Sequence, residues 1–508
     1  MKKRNFDEVD FYIESWPIDL NKLENDGFYF AKDNWDDFNF KTTYQVAVKF
    51  GDVLEDLGYI NLSTFPYSNI FIDFKKVKSQ LFEQRIISLG NKTYYEFLNR
   101  LFDSENRMDF FKVLGDLASN PEELKSLYEN PNYTRISWKV AEVDLIRNSF
   151  FRNNNYNEVL TQYYRLTQGG KFQEAYQIEL RSSDNEEVFS FNVDPYSLFP
   201  DTLYAIIGNN GSGKTHFIIQ LINLYLEQTG KKEETDTIYH FSASTRLNEF
   251  KSLICVSYSP FDSDFPRLEY DNYKFIGIDF DSEDNLSKQI TRNISNLLEE
   301  AGNRYREQLE KILSKFSFDP WFIEISSYMQ NGNGVLSEEE IAKLSSGQKI
   351  ILLNLLNLII NVSEKTLVII DEPELFLHPP LLKAYIRAIE EIVREGNGAC
   401  LLATHSSTVL QEIPHINVRK LYFDKENNVQ TISPVHLKTF GENISSINDF
   451  VFGTDLRNTG FFQLLTKMIE SSDEVPHLLK DVLGDEASVL VKLAELGKVN
   501  VSSEEVTD

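Results

Sequence analysis

LYAIIGNNGSGKTHFIIQLINLYL, Leu203 to Leu226, is the stretch whose reading decides the fold. Leu203 to Ile207 has the length and apolar composition of a buried strand. GNNGSGKT, Gly208 to Thr215, fits GxxxxGK[ST], and His216 to Leu226 continues as an amphipathic helix. Strand, glycine-rich loop and helix in that order predict a phosphate-binding loop. The glycines let backbone N–H groups turn toward a phosphate, and the helix N-terminus adds positive potential. Gly208, Asn209, Asn210, Gly211, Ser212, Gly213, Lys214, Thr215 and His216 are therefore candidate nucleotide contacts. Lys214 is expected to reach the β- and γ-phosphates and Thr215 to hold Mg2+ through its hydroxyl.

Two further stretches answer this one. TLVIIDEPE, Thr366 to Glu374, runs four apolar residues into Asp371 and Glu372. At the end of a buried parallel strand, Asp371 can complete a Mg2+ shell and Glu372 can polarise an attacking water as general base. KLSSGQ, Lys343 to Gln348, stands before the apolar run KIILLNLLNLII. Ser345, Ser346 and Gly347 fall at the expected N-cap of that helix, where hydroxyls and free N–H groups can bind an anion, and Gln348 completes the group.

The order of these segments, closed by His405 in LLATHS, resembles an ABC-class ATPase head over residues 175 to 435. The resemblance implies a cassette in which ATP is sandwiched between two copies of the chain. Ser345 and Gly347 of one copy would close over the γ-phosphate held by the other, with Glu372 the catalytic base and His405 the switch histidine. EPELFLHP, Glu372 to Pro379, departs from transporters by placing His378 where they have an aspartate. With ATHS it is similar to bacterial OLD-like and RecF-like ATPases. SYSPFDSDF, Ser257 to Phe265, falls where a glutamine loop is expected but has no Gln, leaving Ser257, Ser259 and Asp262 as candidate replacements.

Composition bounds what such a head serves. The 508 residues, 42% hydrophobic, suit two or three domains. Lys plus Arg is 51 against 78 for Asp plus Glu, a net charge of −27, so nucleic-acid contact would be local or indirect. Cys255 and Cys400 sit in apolar runs and read as buried free thiols of a reducing compartment. MKKRNFDEVDFYIESW lacks the apolar core of a secretory signal. Ile350 to Val362 is too short and Asn-bearing for a membrane span. The expectation is a cytoplasmic protein without membrane contact.

The expected fold class is α/β: an ABC-type P-loop head of mixed sheet and flanking helices, an α+β N-terminal accessory region and a helical C-terminal extension. Residues 1–165 form the accessory region. In it Thr42 to Phe50 reads as a strand, Glu55 to Ile60 as a turn into another, and the pattern becomes helical from Lys76, with YYEFLNRLF helical. Residues 170–435 form the head, with a helical insert at 284–330 broken near Gly302. In the head, Tyr176 to Leu180, Val188 to Val193, Thr237 to Phe241 and Leu253 to Tyr258 read as strands. Residues 436–508 form the helical extension, ending in a disordered acidic tail. No TOPRIM, HNH or other nuclease constellation follows residue 435.

The resemblance extends to ATPase subunits of anti-phage defence systems of the Septu, PARIS and retron-associated types. It implies an ATP- and Mg2+-dependent homo-oligomer controlling a separately encoded nuclease or toxin. The alternative is a DNA-repair or chromosome ATPase of RecF or SMC kind.

Overall fold

The structure is a computed structural model. It describes residues 3–449 except 34–39, 71, 130–134, 139–140, 152–153, 155, 182–186, 200, 210, 233–244, 259–264, 268–269, 278–285, 323–324, 326–335 and 425–428. Beyond 449 it describes 464–465, 467–468, 483–484, 487–488 and 491–492. The strand expected at Thr237 to Phe241, Asn210, Ser259, Asp262 and nearly all of the expected helical extension and tail lie outside the described residues. The short helix Ile444–Ile447 lies within them.

The N-terminal sheet has the order β1 (Asp10–Ile13), β2 (Gly27–Lys32), β3 (Thr43–Phe50), β4 (Val53–Phe65) and β5 (Arg85–Leu89). β1 and β2 are parallel; the remaining pairs are antiparallel. Helices α1 (Lys92–Leu101) and α2 (Ser104–Leu114) pack on it through Phe97 and Phe110 against Phe11 and Phe28. Two expectations are corrected here. Glu55 to Ile60 lies inside one thirteen-residue strand, because the register with β3 slips between Gln45 and Ala47 and leaves Leu57 and Gly58 as a bulge. Gly58 takes φ +77° there, and Asn91, which caps α1, donates to the carbonyls of Leu57 and Tyr59 at 2.8 and 3.0 Å. The helical pattern from Lys76 is interrupted by β5, whose Ile86 and Ile87 are buried.

The chain next forms hairpins β6 (Arg135–Trp138) with β7 (Ala141–Asp144), and β8 (Tyr176–Arg181) with β9 (Glu187–Val193). The main sheet then takes β10 (Leu203–Ile207), β11 (Ser252–Ser257), β12 (Tyr273–Gly277), β13 (Thr366–Asp371), β14 (Ala399–Thr404), β15 (Val418–Asp424) and β16 (Val429–Pro434). Its order is β12-β11-β13-β14-β10-β15-β16, parallel throughout except for β16. Every residue of β10, β13 and β14 is buried, as in a sheet covered on both faces. Tyr204 and Ile206 face a core made with α3 (Lys214–Gln228) and the β8–β9 hairpin. Leu203, Ala205 and Ile207 face the core of α4 (Leu286–Arg304), α5 (Ser346–Asn361) and α6 (Pro379–Glu395). The insert's helical break falls at Tyr305, with φ −129°, rather than at Gly302, which stays within α4.

β14 is the element that arranges the site. It enters the sheet late in sequence yet lies between β10 and β13, so the C-terminal ends of these three strands are adjacent. Ile207 pairs with Thr404, and Asp371 with Ala403.

At the opposite end of the strands, the turn from α5 to β13 carries Glu364, with its side chain 1% exposed. Lys251 at the foot of β11 reaches it at 2.6 Å, and the Arg165 guanidinium pairs with its other oxygen. Burial pushes the Glu364 carboxyl up, but these two cations outweigh it and hold it below the usual carboxylate range. Beside it Gln173 donates to the carbonyls of Arg394 and Glu395, and Tyr176 to that of Asn397.

Candidate active site

The loop between β10 and α3 is built around its glycines. Gly211 and Gly213 take φ +79° and +86°, open to glycine but strained for other residues. A Cβ on Gly208 would lie 2.3 Å from Ser212 Oγ and 2.8 Å from the Leu421 carbonyl oxygen, so the loop turns close beneath β15. Gly213 caps α3 without any side-chain bond, which leaves the first-turn amides to whatever occupies the loop. Lys214 is buried and folds back to donate to the Gly208 carbonyl at 3.0 Å. Burial lowers its ammonium pKa, while the carboxylates of Asp371, Glu372 and Glu374 pull the other way. Asn209 and His216 are exposed, and His216 Nε2 lies 2.9 Å from Gln220 Nε2.

Across the loop, Thr215 Oγ1 donates to Asp371 Oδ2 at 2.8 Å. One hydroxyl and one carboxylate fit Mg2+, which keeps several waters and takes its remaining ligands from phosphate oxygens. Among the described residues no group of three or more His, Cys, Asp or Glu could hold a metal by itself.

Glu372 follows with φ +50°, and its N–H donates to the Ala403 carbonyl at 2.9 Å. This left-handed residue turns the chain sharply off β13 beside the end of β14. There His405 Nδ1 lies 3.9 Å from Glu372 Oε1 and 3.4 Å from Glu374 Oε1. Lys214, Thr215, Asp371, Glu372 and His405 thus gather at three adjacent strand ends.

The LSSGQ group stands apart from the loop. Ser345 caps α5 in a reciprocal box: its Oγ accepts from Gln348 N at 3.3 Å, and its N–H donates to Gln348 Oε1 at 3.0 Å. Ser345 and Ser346 are exposed, while Gln348 Nε2 reaches the Asp319 carboxylate at 3.4 Å. A Cβ on Gly347 would lie 2.6 Å from the Phe376 carbonyl oxygen, so glycine admits the loop that follows Asp371. Phe376 takes φ +67° and is 60% exposed, and His378 caps α6 without a side-chain bond.

Sequence reasoning passed over two groups. Glu374 accepts from the Thr404 hydroxyl through both oxygens at 2.9 Å and from His405 N at 3.0 Å. Its spacing from Glu372 in EPE was the available signal. The second group is a buried polar chain in which Tyr258 donates to Asn354 and Asn354 donates to Tyr385 at 2.8 Å. It ties the exit of β11, where the glutamine loop was expected, to α5 and α6. Ser257, the one candidate replacement among the described residues, ends β11 and is buried.

Strand order, phosphate loop, capped α5 and inserted β14 give a mixed α/β sheet flanked by helices, with the loop and the carboxylates of Asp371 and Glu372 at one end of its strands. A family model described as "AAA domain, putative AbiEii toxin, Type IV TA system" matches residues 233–411. That span holds Ser345, Asp371 and His405 and begins after the phosphate loop. Protein ea59 of Escherichia phage lambda is 26% identical over 515 residues, covering 91% of this chain and 93% of that protein. The SMC head domain from Thermotoga maritima aligns with 52% of this chain and 100% of its own, at 15% identity and TM-score 0.28. The ATP-binding cassette MJ1267 of an ABC transporter, in its ADP conformation, aligns over 54% and 94%, at 15% identity and TM-score 0.28. No helix among the described residues is long and apolar enough to cross a membrane.

Proposed function

We propose that this chain binds ATP with Mg2+ at Gly208–Thr215 and hydrolyses it between two copies of itself. The observation that carries this reading is the convergence of Lys214, the Thr215–Asp371 pair, Glu372 and His405 at the ends of β10, β13 and β14. Lys214 and the amides of α3 neutralise and orient the phosphates. Thr215 and Asp371 would hold Mg2+, which would supply charge neutralisation to the phosphates. Glu372 accepts a proton from the attacking water, and His405 steadies the terminal phosphate. Ser345, Ser346 and Gly347 contact that phosphate from the second copy. The exposure of Ser345 and Ser346 at the N-terminus of α5 supports this role.

The output is control of a separate effector, a nuclease or toxin, in anti-phage defence within the reducing cytoplasm. The wording of the matched family, which names a putative toxin of a toxin–antitoxin system, supports this finer reading. The buried thiols of Cys255 and Cys400 suit the compartment.

The test is ATP turnover and light scattering on three proteins. Wild type should release phosphate. Glu372→Gln should bind ATP, stall cleavage and accumulate as a pair. Ser345→Arg should bind ATP yet stay single. Normal turnover by Glu372→Gln, or ATP-driven association by Ser345→Arg, overturns the assignment of that residue.

A further inference from the structure

We infer that Glu374 is a positioning residue for the hydrolytic site, holding Thr404 and His405 so that the imidazole stands beside Glu372. This rests on the reading of the site as an ATPase. The geometry is one carboxylate, its side chain 13% exposed, on which three groups of the β14 exit converge. The Thr404 hydroxyl donates to both oxygens at 2.9 Å and the His405 amide to Oε1 at 3.0 Å, while the His405 Nδ1 edge faces the same Oε1 at 3.4 Å. Thr404 Oγ1 in turn accepts from Ser406 N at 2.9 Å, so the segment 404–406 is folded around Glu374.

The consequence is directional. His405 is 44% exposed and has two ring nitrogens, of which Nδ1 is turned to Glu374 and Glu372. Nε2 is the nitrogen left to meet a ligand. Glu374 also belongs to the loop whose Phe376 carbonyl lies against Gly347. Five residues after β13 thereby fix both the histidine and the seat of the LSSGQ turn. A carboxylate that sets the ring of a histidine acts through orientation; for metal-bound histidines the loss of such a partner costs roughly 10- to 100-fold in activity, and the same scale is expected at His405.

The test is a double-mutant cycle with a spectroscopic arm. Glu374→Ala should lower kcat about tenfold or more with little change in KM. Glu374→Gln, which keeps an acceptor oxygen for Thr404 and the His405 amide, should recover part of the loss. In a His405→Ala background, Glu374→Ala should add nothing further. Losses that multiply in the double variant, or a KM that rises as far as kcat falls, would overturn the proposal. Histidine-labelled NMR, with the His405 signal assigned through His405→Ala, reads the same contact without turnover. Glu374→Gln should shift that signal while the other histidines stay put, and an unmoved signal overturns the proposal. If wild type shows no ATP turnover while Glu374→Gln shifts the signal, the ATPase reading fails and the positioning contact stands.

Discussion

Thr215 Oγ1 lies 2.8 Å from Asp371 Oδ2, a hydrogen bond spanning 156 residues of sequence. It joins the first turn of α3 to the last residue of β13, although β14 stands between β13 and β10, the strand that leads into α3. The bond sets a hydroxyl and a carboxylate side by side before any metal arrives, which reduces the ordering needed on binding.

Asp371→Asn should therefore slow turnover by roughly 10²-fold or more, because the amide keeps the Thr215 bond but removes the charge facing the metal. Raising Mg2+ should restore part of the rate. Steady-state assays across a magnesium titration check this, and an unaltered rate would remove Asp371 from the site.

Lys214 predicts a pH dependence. Burial lowers its pKa before ligand binds, and a bound phosphate raises it. ATP affinity is then full while the free protein carries the ammonium, and it declines as pH rises through the lowered value. Calorimetric titrations from neutral to alkaline pH should show this decline. Lys214→Arg should flatten it, because the guanidinium keeps its charge, and Lys214→Ala should abolish binding.

Gly347→Ala would drive a methyl against the Phe376 carbonyl, 2.6 Å away, and the Leu377 side chain, 3.2 Å away. The expected cost is about 1–3 kcal/mol of stability, with slower turnover as the loop after Asp371 shifts. Thermal denaturation alongside the ATPase assay tests this. A variant that is unchanged in both would show that the loop yields freely.

Asp116 gives a prediction remote from the site. It is fully buried, accepts from Tyr95 OH and Ser119 N at 2.8 Å each, and burial pushes its carboxyl up to about 7. An acid raised in this way binds its proton more tightly when folded. The N-terminal region should lose stability as pH climbs from about 4 to 7 and level off above that, by on the order of 4 kcal/mol. Asp116→Asn should remove that slope. Urea denaturation at pH 5 and pH 8 compares the two proteins, and parallel slopes would refute the assignment.

How much of this was legible depended on where each residue looks for its partner. β10, β13 and β14 read directly because every residue in them is buried, leaving unbroken apolar runs. β12 and β15 did not. Tyr273–Gly277 is an edge strand carrying Lys274, and Val418–Asp424 interleaves Arg419 and Lys420 with its apolar residues. β5 was hidden because the short helix Phe74–Lys78 precedes it, with its buried Phe74 and Val77 at helical spacing. Lys214, Thr215, Asp371 and Glu372 announced themselves through local chemistry. Glu374 did not, because its meaning lies in Thr404 and His405, thirty residues on and brought back only when β14 enters the sheet.

Glu364 stands where α5 hands the chain to β13, pinned by Arg165 from the N-terminal region and Lys251 from the foot of β11. One end of that joint leads to Ser345 and the other to Asp371. Arg165 thereby fastens the N-terminal region to the joint between the two motif-bearing segments, so that losing the guanidinium would leave the buried Glu364 carboxylate with Lys251 as its remaining cation among the described residues.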